Sequence, residues 1–427
     1  MNVLFVGDNR NRGNFGCRGT STALSMLVER KHTISASISG FVTDQNIDYL
    51  FYYDFLPAWC YRFFGYHIYR KDIFRFVTDK IGIKKGDYVS ADFDKSIANF
   101  KKCIAANPAL QELNLDNYDF DAMVVNGEGS FIFSTPAWRE PLVIAMLMYW
   151  AIQKGKKVYF MNAMFSDSPY SPQNNETIKA VEKVLSKCEC VVVRENFSKE
   201  YAQTHFKDIN LQIKPDALFS WYSMINDNHN VTNLRYYIAH TVESNSLYNG
   251  YDFSTPYILV AGSSARVGNR SESVPAFVKL VTELRKRYSG NIYLIKVCEG
   301  DDFLYEVANQ TNTRIIPMET PLVASAKILS QADAFVSGRY HPGIMASLGG
   351  TPCVFMSSNS HKTLSLQNLL AYENQKEYSI IPNDEEIKQI VADTLSKINE
   401  GSALREKIKK RCEVLSKEAE SMIDYIE

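Results

Sequence analysis

The stretch Ser337-Gly338-Arg339-Tyr340-His341-Pro342 brings a fixed cation and a titratable imidazole to one place. It follows the apolar run Ala334-Phe335-Val336, which reads as a buried parallel strand, and runs into a helical pattern with Ile344, Met345 and Leu348 on one face. Ligands of open α/β sheets sit at the carboxyl ends of strands. A helix start there adds backbone donors suited to anions. Arg339 next to His341 therefore points to an anionic substrate and proton transfer. In an extended strand end, residues two apart share a side, so both side chains are expected to reach one ligand. The plain alternative is a salt-bridged arginine and a packed histidine.

Other strand ends carry comparable chemistry. The first strand runs into Gly7-Asp8-Asn9-Arg10-Asn11-Arg12-Gly13-Asn14-Phe15-Gly16-Cys17-Arg18, which is neither a dinucleotide fingerprint nor a P-loop. Its glycines and the arginines Arg10, Arg12 and Arg18 read as an anion-binding loop, with Thr20 or Ser21 capping the next helix. Asn126-Gly127-Glu128-Gly129-Ser130 places one carboxylate between two glycines. Arg194 ends a further strand, with Asn196 as a helix cap, and Asp216 reads as structural. Gly262-Ser263-Ser264 is a glycine–serine turn able to hold an anion or sugar, and Asn359 to Lys362 adds a point charge. Each of these also has a structural reading as a turn or a solvated charge.

The elements that must position these residues form two series. Strands are expected at Val3–Val6, Ala122–Val125, Val158–Met161, Cys190–Val193 and Leu211–Ile213, then at Tyr257–Val260, Ile292–Val297, Arg314–Ile316, Ala334–Val336 and Cys353–Met356. Short apolar runs alternating with helices indicate parallel sheets covered on both faces. The expected fold is α/β, with two doubly wound domains facing a cleft. The first covers residues 1–235 and the second 250–382, split near the Asn-rich stretch at 228–250. Residues 383–427 read as two amphipathic helices, the first capped by Asn383 with Glu386.

A chain of 427 residues exceeds one ordinary core, and its net charge of -1 excludes a nucleic-acid surface. Eight cysteines without a CxxC pair speak against zinc and a disulfide framework, and for a cytoplasmic enzyme. No metal motif is present, so neither a metal nor a cofactor is expected. Leu142 to Ile152 is too short to span a bilayer, which takes about 20 residues, and reads as a core helix. Residues 49–78 interleave aromatics with Arg62, Arg70, Lys71 and Arg75. They read either as a peripheral contact with the inner face of a membrane or as a buried hairpin.

With these residues in view, the chain resembles the polysaccharide pyruvyl transferase family. The resemblance rests on Asn14-x-Gly16, Asn126-Gly127-Glu128-Gly129-Ser130, Val193-Arg194-Glu195 with Ser198, Pro215-Asp216, and above all Gly338-Arg339-Tyr340-His341 with Ala346, Gly350-Thr351-Pro352 and Asn359 to Lys362. It implies a fold similar to the two-domain (GT-B-like) glycosyltransferases. It also implies transfer of pyruvate from phosphoenolpyruvate onto two hydroxyls of a sugar, lipid-linked or free, as a cyclic ketal in surface-polysaccharide synthesis. By the resemblance Arg339 and Arg194 hold the donor, helped by Lys362, Gly262, Ser263, Ser264 and Asn359. His341 is the acid/base with Glu128 second, and Asn14, Gly16, Arg18, Asn126 and Gly127 form the acceptor or anion loop. The family's first loop usually reads Asn-x-Gly-Asp, whereas Cys17 follows Gly16 here, and Glu128 stands where many members carry glycine. The alternative is an inverting nucleotide-sugar glycosyltransferase. Retaining ones use a Glu-x7-Glu pair, and Arg339 through Tyr372 holds no Asp or Glu. A third reading is a non-catalytic glycan-assembly protein.

Overall fold

The computed structural model describes residues 1–39, 88–106, 113–226, 251–265 and 270–427. Residues 49–78 and the Asn-rich stretch at 228–250 lie outside them. The described chain forms two compact units: Met1–Asn11, Ser25–Ile213 and Ile423–Glu427 make the first, and Arg12–Leu24 with Lys214–Met422 the second. The chain thus passes between units after Asn11, within helix α1 (Phe15–Glu29) after Leu24, after Ile213 and after Met422.

The first unit is built on a six-stranded parallel sheet in the order β2-β1-β3-β4-β5-β6. Its strands are β1 (Asn2–Val6), β2 (Thr33–Ile38), β3 (Ala122–Phe133), β4 (Lys157–Asp167), β5 (Cys190–Val193) and β6 (Leu211–Ile213). Five of these were legible from apolar runs. Thr33–Ile38 reads Thr-Ile-Ser-Ala-Ser-Ile, half polar because it lies at the sheet edge with one side exposed, and it escaped the sequence reading. Helices α2 (Phe93–Ala106), α3 (Arg139–Gln153), α4 (Asn175–Leu185) and α5 (Asn196–His205) belong to this unit. Leu142 to Ala151 in α3 is apolar on nearly every face and packs into the core with Phe131, Phe160 and Phe165.

The second unit holds a five-stranded parallel sheet, β11-β10-β7-β8-β9. Its strands are β7 (Tyr257–Ser263), β8 (Asn291–Ile295), β9 (Arg314–Ile316), β10 (Ala334–Gly338) and β11 (Cys353–Phe355). After the short α6 (Tyr222–Asn226), the helices are α7 (Ser273–Arg287), α8 (Phe303–Thr311), α9 (Leu322–Gln331), α10 (Tyr340–Leu348), α11 (Lys362–Leu369), α12 (Asp384–Asn399) and α13 (Gly401–Glu420). The Asn383–Glu386 capping box forms as the sequence requires. Ile387, Ile390 and Val391 of α12 seal the core of this unit rather than forming a separate layer.

In both sheets the winding direction reverses at one gap, between β1 and β3 in the first and between β7 and β10 in the second. Such gaps are where open sheets admit ligands. Of the sequence motifs singled out above, Gly7–Arg18, Asn126–Ser130, Gly262–Ser264 and Arg339–His341 belong to strands at these two gaps or to the segments that follow them, whereas Val193–Ser198, Pro215-Asp216, Gly350–Pro352 and Asn359–Lys362 do not.

Candidate functional site

At the gap of the first sheet, β3 and β4 leave regular strand geometry at one level. Glu128 has a φ of 41° and Asn162 a φ of 57°, the left-handed region that side chains avoid, and the β3–β4 register shifts just after Glu128. Neutral amides hold this distortion. The Asn162 side-chain amide donates to Asn126 Oδ1 at 3.1 Å, and the Asn126 side-chain amide donates to the Gly7 backbone carbonyl at 3.3 Å. The Asn9 amide donates to a Glu128 carboxylate oxygen at 2.5 Å. Glu128 is buried, so Asn126-Gly127-Glu128 is a structured feature inside long β3 and not the open turn its glycines implied.

Arg194 follows β5 and is 1% exposed, its amide donating to the Ala163 carbonyl. Next to it Glu195, and not Asn196, caps α5: its carboxylate accepts from the Ser198 amide at 3.0 Å. The Ser198 hydroxyl in turn binds Glu195 and the backbone of Phe165. Glu195 and Ser198 thus hold the turn that presents Arg194. Of the loop arginines, Arg10 is engaged by Asp8 through contacts of 2.7–3.1 Å, so it is not an open anion ligand.

In the second unit the site begins with α1. Asn14 caps it, its side-chain oxygen accepting from the amides of Gly16 at 3.0 Å and Cys17 at 3.3 Å; Thr20 and Ser21 lie further inside the helix. The Phe15 amide donates to the Val297 carbonyl, tying this start to the end of β8. Gly16 is required for close approach: a Cβ there would stand 3.1 Å from the Cβ of His341. Asn14-x-Gly16 therefore shapes the wall beside the imidazole. Arg18 reaches the Met318 carbonyl at 3.0 Å, and burial lowers its pKa. Cys17 is buried, with its Sγ within 4.8 Å of a His341 ring nitrogen.

Arg339 and His341 lie after β10 as expected, but not on an extended strand end. The strand stops at Gly338, Arg339 is the N-cap of α10, and His341 is its second residue, and the two side chains meet different carboxylates, Asp301 and Asp216. The Arg339 guanidinium pairs with the carboxylate of Asp301, itself fully buried. Burial opposes the arginine's charge, yet Asp301 outweighs it and holds the Arg339 pKa above its ordinary value. The other Asp301 oxygen accepts from the Val297 amide at 3.1 Å. Gly262 makes room for this pair, since a Cβ on it would fall 2.2 Å from the Asp301 oxygen. Gly262 and Ser263 are therefore part of β7 and not a free turn.

The His341 Nε2 lies 3.3 Å from Asp216 Oδ2. Asp216 is 0% exposed, and its other oxygen accepts from the Leu218 amide at 3.0 Å and the Thr20 hydroxyl at 2.7 Å. From sequence Asp216 reads chiefly as structural; its further signals are its place at a strand-to-helix junction, like those of Arg194 and His341, and its membership of the Pro215-Asp216 motif. Ser264, Asn359 and Ser263 also meet: the Ser264 hydroxyl donates to Asn359 Oδ1 at 3.3 Å, and the Ser263 hydroxyl to the Ser357 carbonyl at 2.5 Å. This network joins the ends of β7 and β10 to the loop after β11. Lys362 opens α11, three residues beyond Asn359.

The family model for polysaccharide pyruvyl transferase matches residues 41–360, three quarters of the chain. The chain belongs to that family. The match takes in Glu128, Arg194, Asp216, Arg339, His341 and Asn359, while Asn14, Gly16 and Lys362 lie outside it. A search of curated protein sequences finds no match. In fold, this pyruvyl transferase family member is similar to UDP-GlcNAc 2-epimerase from Neisseria meningitidis, solved bound to UDP-GlcNAc. That likeness has a TM-score of 0.54 at 10% identity and covers 100% of this chain and 98% of that one. It is also similar to Os79 from O. sativa, solved in complex with U2F and trichothecene, with a TM-score of 0.51 at 11% identity over 98% and 95% of the chains. At such identity the likeness establishes the two-domain, GT-B-like fold alone. Among the described residues no helix is long and apolar enough to cross a membrane.

Proposed function

We propose that this protein transfers pyruvate from phosphoenolpyruvate onto two hydroxyls of one sugar, forming a cyclic ketal in surface-polysaccharide synthesis. The observation that carries this reading is the family match combined with the place of His341. A titratable group stands at the topological switch point of the second sheet, on the first turn of a helix, against a buried carboxylate. The donor has a phosphate and a carboxylate, and the cations assigned to it are Arg194, Arg339 and Lys362. Arg339 is already paired with Asp301, so its part is to place a compensated guanidinium at the strand end. Ser263, Ser264 and Asn359 add neutral hydrogen-bonding groups.

In the reaction the donor methylene carbon takes a proton and becomes a methyl group, leaving an oxocarbenium-like carbon. One sugar hydroxyl adds to that carbon, the C–O bond to phosphate breaks, and the second hydroxyl closes the ring. Of the two hydroxyl protons, one balances the proton placed on carbon and the other leaves with phosphate. His341 is the acid/base, a role that contributes roughly 10²–10⁴-fold; Glu128 is the second candidate. The acceptor is a sugar, free or carried on a lipid, and the reaction calls for no metal or cofactor.

The decisive experiment is thermal stabilisation by phosphoenolpyruvate against UDP- and CDP-sugars, followed by detection of a pyruvate ketal on a sugar acceptor. A ligand at 100 times its Kd stabilises by about 2.7 kcal/mol. Stabilisation by phosphoenolpyruvate and formation of ketal are expected. Stabilisation by a nucleotide sugar alone would replace this reading with glycosyl transfer, and no response to any donor would favour a non-catalytic role.

A further inference from the structure

We infer that Asp216 is a positioning residue that fixes which nitrogen of His341 carries the proton, with Thr20 fixing Asp216 in turn. The inference rests on the pyruvyl-transfer reading for its catalytic consequence, but not for its geometry.

Three elements of the second unit meet at this carboxylate. Thr20 comes from α1, Leu218 from the single turn Ala217–Trp221, and His341 from α10. A cap alone needs one acceptor oxygen, and Asn or Ser would supply it as well as Asp. Here Oδ1 already accepts the Leu218 amide and the Thr20 hydroxyl, while Oδ2 is turned to Nε2 of His341 inside a fully buried setting. Only a carboxylate offers that second acceptor. An ionised carboxylate has no proton to donate, so the N–H of the pair must sit on Nε2. Proton exchange with a reacting group then falls to Nδ1, the division of labour that an Asp–His pair imposes on an imidazole. The Thr20 and Leu218 bonds stop the carboxylate from rotating and exchanging its oxygens.

The test is Asp216→Asn in the full chain. The asparagine oxygen still accepts from Leu218 and Thr20, whereas its amide now donates toward Nε2 and drives the proton to Nδ1. With ¹⁵N-labelled histidine, the His341 signals (assigned by their loss in His341→Gln) are expected to show an Nε2–H tautomer in the wild type and the opposite one in the variant. Ketal-forming kcat is expected to fall on the order of 10³–10⁴-fold, as when the aspartate of a comparable pair is made asparagine, with the KM for phosphoenolpyruvate little changed. Thr20→Val removes one neutral hydrogen bond and should lower kcat by roughly tenfold or less. A wild-type tautomer with the proton on Nδ1 overturns the inference, and so does an interchanged tautomer with unaltered kcat. Should Asp216→Asn fail to fold, the wild-type tautomer and Thr20→Val still decide. If the tautomer interchanges as expected but the wild type makes no ketal from phosphoenolpyruvate, the positioning stands and the assignment of the reaction falls.

Discussion

The two sheet gaps hold their polar groups by opposite means. In the first unit, Glu128 and Asn162 sit in left-handed backbone, and neutral amides from Asn9, Asn126 and Asn162 hold the arrangement. In the second, the backbone of Arg339 and His341 stays out of the left-handed region, although the β7–β10 register shifts between Val336 and Gly338, and buried carboxylates do the holding: Asp301 for the guanidinium, Asp216 for the imidazole. One end is fixed by backbone conformation and amide bonds, the other by charge. Their failure modes should differ accordingly. A neutral isostere should harm the second end far more than the first, whereas a change of backbone freedom should register mainly at the first.

The largest effect follows from removing one member of the buried ion pair. Asp301→Ala leaves the Arg339 charge without its counter-ion in a site where both side chains are at most 7% exposed. Removal of one partner of a buried pair costs about 3–5 kcal/mol, to be read as a lowered denaturation midpoint. The isosteric comparison sets Glu128→Gln in the first unit against Asp301→Asn in the second. Glutamine keeps an acceptor for Asn9, so a charged hydrogen bond is exchanged for a neutral one, a difference of about 1 kcal/mol. Equal losses in the two variants would break the comparison. Gly262→Ala comes next: its methyl would press on Asp301, and overpacking of this kind costs about 1–3 kcal/mol.

A smaller effect isolates the backbone of the first end. Asn162→Ala keeps a side chain at a φ of 57° and takes away the donor to Asn126; Asn162→Gly also loses the donor but relieves the conformation. The glycine variant should be the more stable by about 1–2 kcal/mol, the cost of the left-handed region for an ordinary residue. Identical stabilities would show that this backbone is not strained.

What the sequence made legible divides along the same line. Most of the parallel strands show because their runs are short and largely apolar, and topology then marks the residues near their carboxyl ends; so Arg339, His341, Glu128 and Ser263 can be singled out by position. Their pairings cannot. Asp301 is 38 positions from Arg339, and Asp216 lies 125 positions before His341, in runs with no periodicity that marks them. Only folding brings them together. Gly262 was misread for the same reason: its small size serves a carboxylate that sequence proximity does not reveal. The Arg339–His341 pair was read as extended because the strand pattern gives no sign of where α10 begins. Proline at 342 fits that early start, since the first turn of a helix needs no N–H there.

The smallest predicted effect compares two arginine–aspartate pairs, one at each end. Asp8–Arg10 in the first unit has its arginine side chain 36% exposed, while Arg339 in the second is 7% exposed. Burial pushes the Asp8 carboxyl up, but the hydrogen bonds and charge of Arg10 outweigh it and hold its pKa below the usual range. In the unfolded chain Asp8 therefore takes up a proton at a higher pH than in the folded one. Stability from this pair is fully present above the ordinary aspartate pKa and is lost as pH falls through the depressed folded value. Half-exposed pairs contribute about 1 kcal/mol or less and are screened by salt, with a Debye length of about 10 Å at 0.1 M. Asp8→Asn should thus flatten the acid limb of the stability–pH curve slightly at low salt, and the difference from wild type should shrink at about 1 M salt, where the Debye length is near 3 Å. The loss from Asp301→Ala should hardly respond to salt, because ions do not reach a buried pair. A marked salt dependence of the Asp301→Ala loss would mean that water and ions enter the second end, and that its cation is held in a more open setting than a buried pair provides.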